Sequence, residues 1–172
     1  GTAEPLYKSE ELQTNESIVK ESLHKLGFYR GDSNAELDTA IKSFQKYHGL
    51  LVTGQVDETT QLKLEFELDE SYFYGDSDKE ILEFQNYLKT LGFGDWEPSI
   101  KFDSSTLEAI LAFQDYHSDL IVTGVLDTKT QAKIKSEMEK TEPKEETKET
   151  IITVASMEKD EFEGTKEKVP IT

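Results

Sequence analysis

Residues 44–54 read Phe44-Gln45-Lys46-Tyr47-His48-Gly49-Leu50-Leu51-Val52-Thr53-Gly54, and this segment is the strongest indication of the fold. It recurs further along the chain as Phe113-Gln114-Asp115-Tyr116-His117-Ser118-Asp119-Leu120-Ile121-Val122-Thr123-Gly124. Most positions are identical and keep their order, with Asp119 as an added residue in the second copy. Such self-similarity indicates that the chain contains one structural unit twice.

The duplication extends to both sides of this stretch. Upstream, Leu23-x-x-Leu26-Gly27-Phe28 recurs as Leu88-x-x-Leu91-Gly92-Phe93, and downstream the pattern Asp-x-x-Thr-Gln-x-Lys recurs from Asp57 at Asp127. The offset between the copies is larger downstream than upstream, so the second copy has the longer first loop. We predict a lead-in over residues 1–15, repeat one over 16–68, a connector over 69–76, repeat two over 77–138 and a tail over 139–172.

Each repeat is predicted to form three helices, because apolar residues recur at helical spacing and polar residues or glycines flank them. Asn15 and Ser77 are the predicted N-caps of the first helices, which we expect to end at Gly27 and Gly92. The second helices contain the core residues Phe44 and Phe113, and the second one is capped by Asp103 or Ser104. Asp57 and Asp127 are predicted to cap the third helices. In repeat one we predict this helix over residues 58–66, although Leu62, Leu64, Phe66 and Leu68 alternate with polar residues as in a strand.

The composition excludes several classes of protein. The 172 residues carry a net charge of −17, so phosphate backbones and anionic lipid surfaces would repel the chain. Cysteine is absent, which rules out disulfides, thiolate metal sites and a cysteine nucleophile. The tail, rich in Glu, Lys and Thr, is predicted to be a disordered, solvated, acidic segment.

The repeated pattern resembles the peptidoglycan-binding-domain-like family. The elements shared with it are Leu-Gly-Phe, Ala-Ile-x-x-Phe-Gln-x-Tyr-His-Gly-Leu, Thr-Gly and Asp-x-x-Thr, which occur in order in repeat one and with small changes in repeat two. The resemblance implies an all-α fold of two tandem three-helix modules. Modules of this family are usually attached to cell-wall hydrolases, amidases or secreted processing peptidases, where they bind wall polymer.

The resemblance also suggests where a ligand would bind, because contacts in this family come partly from the first loop. The candidate contacts fall in the two first loops and at the end of each second helix. An exposed aromatic ring in a loop can stack on a sugar face. For the histidines the alternative is a capping role at a helix C-terminus, and for the glutamines it is a buried amide that ties the first loop to helix two. The candidates are Tyr29, Gly31, Gln45, His48, Trp96, Phe102, Gln114 and His117.

No catalytic constellation is recognisable. The acidic residues are scattered over predicted helix faces and caps, and three isolated histidines do not offer the three or four ligands of a zinc site. Motifs of serine hydrolases, zinc proteases and phosphate-binding loops are missing. We therefore predict a chain that is not an enzyme and needs no metal or cofactor.

Two functions follow as hypotheses. The first is a non-catalytic module that binds the glycan strand or stem peptide of peptidoglycan and localises a secreted or surface protein, including a catalytic domain of the parent protein. This would place it in the cell wall or outside the cell of a Gram-positive bacterium. The alternative is a pair of degenerate repeats that act as a protein–protein interaction or scaffolding domain. Neither hypothesis involves nucleic acid or insertion into a membrane.

Overall fold

The computed structural model describes residues 9–31 and 33–141, with only the backbone for residues 9–14. It is all-helical, with three helices in each repeat, which confirms the predicted fold class. Within these ranges no helix combines the length and the apolar character needed to cross a membrane. The predicted disordered tail from residue 142 onward lies outside the described residues. The helices are α1 (Ser9–Lys25), α2 (Asn34–Tyr47), α3 (Glu58–Glu70), α4 (Lys79–Thr90), α5 (Ser104–Tyr116) and α6 (Thr128–Thr141).

The two predicted N-caps of the first helices are wrong. Helix α1 begins at Ser9, so Asn15 lies inside it. The residues between are Glu, Leu, Gln and Thr, without Gly or Pro, and nothing in them stops a helix from extending N-terminally. Helix α4 is capped by Asp78, whose carboxylate accepts from the Glu80 amide at 2.8 Å, and not by Ser77, which pairs with Lys101 in an isolated β-bridge.

The other predicted caps are confirmed. Asp57 and Asp127 accept from the amides three residues on, at 2.9 and 2.8 Å, and Asp103 does the same at the start of α5. Ser33 caps α2 in repeat one, at a position for which no cap was predicted. These side chains satisfy amides that have no partner within the first turn of a helix.

Helix α3 continues four residues beyond the predicted end. Leu64 is buried whereas Leu62 and Phe66 are 58% and 49% exposed, so the alternating pattern reflects two faces of a helix rather than a strand. Glu67, near the end of the helix, is almost completely buried. The additional turn therefore contains a buried carboxylate that the apolar pattern of the helix does not predict.

Each repeat has its own apolar core around the phenylalanine of its second helix. Phe44 and Phe113 are both fully buried, as predicted, and each contacts the ring of the histidine four residues later. The two cores include residues from all three helices of their repeat. The Leu-Gly-Phe elements add Phe28 and Phe93, which pack edge-on against the same phenylalanines at 5.4 and 5.1 Å.

The segment between the repeats is hydrogen-bonded to repeat two. Tyr72 and Leu126 exchange both backbone hydrogen bonds, at 3.0 and 3.1 Å, in an isolated antiparallel bridge. Gly75 donates to the Phe102 carbonyl, and the Phe102 amide donates to Asp76. The connector thus pairs with two loops of repeat two, which fixes where the second module begins.

Polar groups join the two repeats directly. The buried Glu67 carboxylate of α3 accepts from the Thr128 hydroxyl at 2.5 Å and from the Thr128 amide at 3.3 Å, at the first residue of α6. Gly27, with a φ of +92°, faces Thr123 of repeat two so closely that an added Cβ would come within 2.6 Å of the Thr123 Cβ. A side chain at Gly27 would therefore strain its backbone and push the repeats apart.

Candidate ligand-binding site

The first loop and second helix of repeat one enclose an open pocket of about 380 Å³. Its walls are part aromatic, from Phe28 and Tyr29, and part polar, from Arg30, Glu36 and Thr39. Gly31 closes one side, where an added Cβ would overlap the Glu36 carboxylate. Two of the predicted contacts, Tyr29 and Gly31, thus line one pocket with groups that can stack and hydrogen-bond.

Tyr29 combines two properties that are rarely found together. Its side chain is only 5% exposed, yet its hydroxyl has no hydrogen-bond partner within the protein. A buried hydroxyl without a partner is unfavourable in the free protein. In the wall of an open pocket such a group is a candidate for reorganisation around a ligand, although it does not present the exposed ring that the sequence led us to expect.

The first loop of repeat two has a different arrangement. The indole ring of Trp96 covers Gly94 so closely that a side chain there would overlap it. The ring is half-buried against the core of repeat two, and its Nε1 is buried without a partner. This packing favours a structural role for Trp96 over sugar stacking.

Phe102, the other aromatic candidate of this loop, is a core residue. It is 1% exposed and packs edge-on against Tyr74 of the connector, with ring centroids 6.3 Å apart. A ligand-contacting role does not fit this position, because the ring has no accessible face. The aromatic of the longer loop is instead used to anchor the connector.

Gln45 and Gln114 are both completely buried, and the protein satisfies their amides. The Gln45 Oε1 accepts from the amides of Thr53 and Gly54 at 2.9 and 3.0 Å, and its Nε2 donates to Thr60 at 3.0 Å. Gln114 makes the equivalent bonds in repeat two. This geometry favours the buried-amide role. The loop that is tied to helix two, however, is the Thr-Gly loop that follows it and not the first loop that was expected.

The residue that does tie a first loop is Gln85, which was not among the candidates. Its Oε1 accepts from the Ser99 amide at 2.6 Å, and its Nε2 donates to the Lys101 carbonyl at 2.7 Å. The sequence contains a signal for this role of Gln85, because Phe84-Gln85 is a third Phe-Gln pair in the chain. Repeat one has Lys20 at this position, and its shorter first loop is not held in this way.

His48 and His117 occupy the C-cap positions of α2 and α5, where their backbone amides donate to carbonyls of the last turn. The His48 ring is packed between Phe44 and Tyr47 at centroid distances of 4.4 and 5.0 Å. Burial lowers the pKa of the His48 imidazole to about 4, and the nearby Glu67 carboxylate offsets this only in part. His48 is consequently neutral at pH 7, and it faces the interface between the repeats rather than the first-loop pocket.

Within residues 9–31 and 33–141, no group of three or more His, Asp or Glu side chains is placed to hold a metal ion. The buried carboxylates of this region, Glu67 and Asp127, are bound by hydroxyls and amides of the protein itself. The chemistry that the first-loop pocket offers is therefore recognition by aromatic, hydroxyl and charged groups.

Comparison with known proteins agrees with this arrangement. The family model described as "Putative peptidoglycan binding domain" matches residues 17–64 and 77–134, one match in each repeat. No curated protein and no solved structure gives a match. Since the two matched segments cover more than half of the chain, it belongs to the family of putative peptidoglycan binding domains and contains two copies of that domain.

Proposed function

We propose that this chain binds peptidoglycan without catalysing a reaction, and so holds a secreted or surface protein at the wall of a Gram-positive bacterium. The observation that carries the proposal is the match of both repeats to the family. The first-loop pocket of repeat one supports it, since aromatic, hydroxyl and charged groups converge there. The parent protein's catalytic domain would be positioned by this attachment.

We assign the binding to repeat one. Its first loop and second helix line an open pocket with Tyr29 and Gly31, whereas the candidate aromatics of repeat two, Trp96 and Phe102, pack into or against the core. Repeat two then contributes by packing against repeat one and stabilising it, and retention does not depend on two equal sites.

Sedimentation with purified sacculi tests the proposal. Wall teichoic acid must be removed first, because a chain of net charge −17 is repelled by that polyanion. We expect the protein to pellet with the sacculi at low and moderate salt. If it stays in the supernatant under both conditions, peptidoglycan binding is wrong.

A pair of equivalent substitutions tests the assignment to repeat one. Thr39 is exposed and lines the pocket, and Glu108 is its exposed equivalent on α5. Thr39→Trp should block the pocket and reduce retention, while Glu108→Trp should leave it unchanged. Loss of retention with Glu108→Trp alone would move the site to repeat two.

A second candidate function, a protein-interaction domain, is favoured by one observation. Tyr47 is 8% exposed because repeat two covers it, but its equivalent Tyr116 is 75% exposed on the same face of the other repeat. A face that packs against protein in one repeat is thus open in the other. Recovery of one specific protein partner that is lost with Tyr116→Ala, together with no sacculus binding, would favour this function.

A further inference from the structure

A second groove lies between the two repeats and adjoins the first-loop pocket at Ser43, which lines both. It has a volume of about 380 Å³, and both repeats contribute to it. Ser43, Lys46 and Tyr47 line it from α2, and residues 118–121 with Lys129 line it from repeat two. Because neither repeat contains this groove by itself, it is a product of their packing.

Lys129 is held in place at this groove. Its ammonium donates to the Tyr47 carbonyl at 2.9 Å and lies 4.3 Å from the centre of the Tyr47 ring. An ammonium has three donors, so two remain for another acceptor. Repeat one has Thr59 at the equivalent position, and the cation is thus specific to the side of repeat two that faces repeat one.

The positive charge in the groove is not neutralised by the groove's own acid. Asp119, the acidic residue among its lining residues, is paired with Lys133 at 3.2 Å. Lys46 is exposed and, among the described residues, has no carboxylate partner. Two lysines therefore line one groove in a chain whose overall charge is strongly negative.

The rest of the lining limits the kind of anion. Leu120 and Ile121 are apolar, the Tyr47 ring is aromatic, and the hydroxyls of Ser43 and Ser118 can donate to an oxygen. A long polyanion would be repelled by the remaining surface. A short ligand with one carboxylate next to a small apolar group matches the groove in charge and in polarity.

We propose that the groove between the repeats binds the carboxylate of a short peptide, with Lys46 and Lys129 as its charge partners. This assignment rests on the proposed function, since peptidoglycan stem peptides supply such carboxylates. It adds a composite site that depends on both repeats and lies next to the first-loop pocket. The carboxylate would also link α2 to α6 and stabilise their packing.

The test is an NMR titration of the full chain with N-acetyl-alanyl-alanine, its C-terminal amide and inorganic phosphate. We expect the acid to shift the amide signals of Lys46, Ile121 and Lys129, and to bind at least about fivefold more tightly than the amide, because only the acid forms charge-assisted hydrogen bonds. Equal binding of acid and amide, or tighter binding of phosphate than of the acid, would overturn the proposal.

Substitutions distinguish a direct contact between Lys46 and the carboxylate from a general effect of the protein's charge. Lys46→Gln should weaken binding of the acid by about five- to tenfold, and Lys46→Arg should preserve most of it. Lys89→Gln, with the same change of charge at an exposed position of α4, should have no effect. Lys46 is exposed, so unfolding does not complicate this variant; unchanged affinity with Lys46→Gln would refute the site.

Failure of this proposal and failure of the proposed function give different results. If sacculi are not bound but the acid still binds through Lys46, the groove is a carboxylate site as proposed. The carboxylate then comes from a peptide other than the peptidoglycan stem. If sacculi are retained and the acid does not bind, the first-loop pocket accounts for the retention and the groove assignment is wrong.

Discussion

The Tyr47 hydroxyl of repeat one lies 3.3 Å from Oδ2 of Asp127, the N-cap of α6 in repeat two. Asp127 is 3% exposed, and its other oxygen accepts from the Thr130 amide. Burial raises the pKa of the Asp127 carboxyl, whereas in the exposed equivalent Asp57 the capping hydrogen bonds lower it. The same capping residue is thus a surface group in one repeat and an interface group in the other.

Removal of the Tyr47 hydroxyl should weaken this interface. Tyr47→Phe leaves the buried Asp127 carboxylate with one donor fewer, and we expect a loss of about 1–2 kcal/mol in the free energy of unfolding. Chemical denaturation measures it. Tyr116→Phe is the control, since this hydroxyl is on a largely exposed ring and its loss should change stability by less than about 0.5 kcal/mol. Equal effects of the two substitutions would contradict the interface role.

Glu67 makes a further polar contact between the repeats. Glu67→Ala leaves the Thr128 hydroxyl and amide without their acceptor and Lys63 without its partner at 3.5 Å. We expect a loss of about 1–3 kcal/mol of unfolding free energy, because two part-buried donors of Thr128 lose their acceptor. Glu65→Ala, on the exposed face of the same helix, should cost less than about 0.5 kcal/mol. A small effect of Glu67→Ala would show that the repeats do not depend on this contact.

The neutral His48 predicts a pH dependence of stability. Its pKa is about 4 in the folded protein and about 6.5 in the unfolded chain, so the unfolded state binds the proton first. The stabilisation is complete above pH 6.5 and is lost as the pH falls toward 4. We expect the melting temperature to fall more steeply across this window in the parent than in His48→Gln.

His24→Gln is the control for the pH experiment, because His24 is exposed on α1. Its melting profile should follow that of the parent. Asp127 acts in the opposite direction, since a carboxyl with a raised pKa takes up its proton more readily when folded. The comparison is therefore between variants over one pH range, and identical slopes for parent and His48→Gln would refute the assignment.

The unpaired hydroxyl of Tyr29 predicts that its removal does not destabilise the free protein. Tyr29→Phe removes a buried polar atom without a partner and keeps the ring, so the free protein should be unchanged or up to about 1 kcal/mol more stable. Sacculus sedimentation of the same variant should show weaker retention if the hydroxyl meets a ligand. A clear loss of stability would mean that the hydroxyl has a partner, such as ordered water.

Cutting the connector tests whether the repeats form one folding unit. A protease recognition sequence inserted at Tyr74–Gly75, where the Tyr74 side chain is 63% exposed, provides the cut. After cleavage the contacts of Glu67 and Asp127 become intermolecular, and their effective concentration falls. Calorimetry should show a lower and concentration-dependent melting temperature for the cut protein. An unchanged melting temperature would mean that each repeat is stable alone.

Much of the local structure followed from local signals. Phe44 and Phe113 were correctly predicted as core residues. The caps Asp57 and Asp127 could also be predicted, because each accepts from an amide only three residues away. The ends of the helices were predicted less accurately than their cores. Nothing in residues 9–14 opposes a helix, so the start of α1 depends on continuation rather than on a cap, and the Asn15 prediction failed.

The candidate site was predicted only in part. Tyr29 and Gly31 do line a pocket, since a loop next to its helix is a local arrangement. Trp96 and Phe102 look equally accessible in the sequence, but they turn toward the core because the longer loop of repeat two supplies apolar surface to cover.

The presence of two helical modules of one family could be predicted from the sequence, because the duplication and the apolar periodicity are properties of neighbouring residues. How the two copies pack against each other became visible in the folded chain. Tyr47 and Tyr116 are equivalent in sequence, yet one is buried at the interface and the other is exposed, since burial depends on residues about 80 positions away. The groove with Lys46 and Lys129 arises for the same physical reason: packing brings together cations that no spacing in the chain connects.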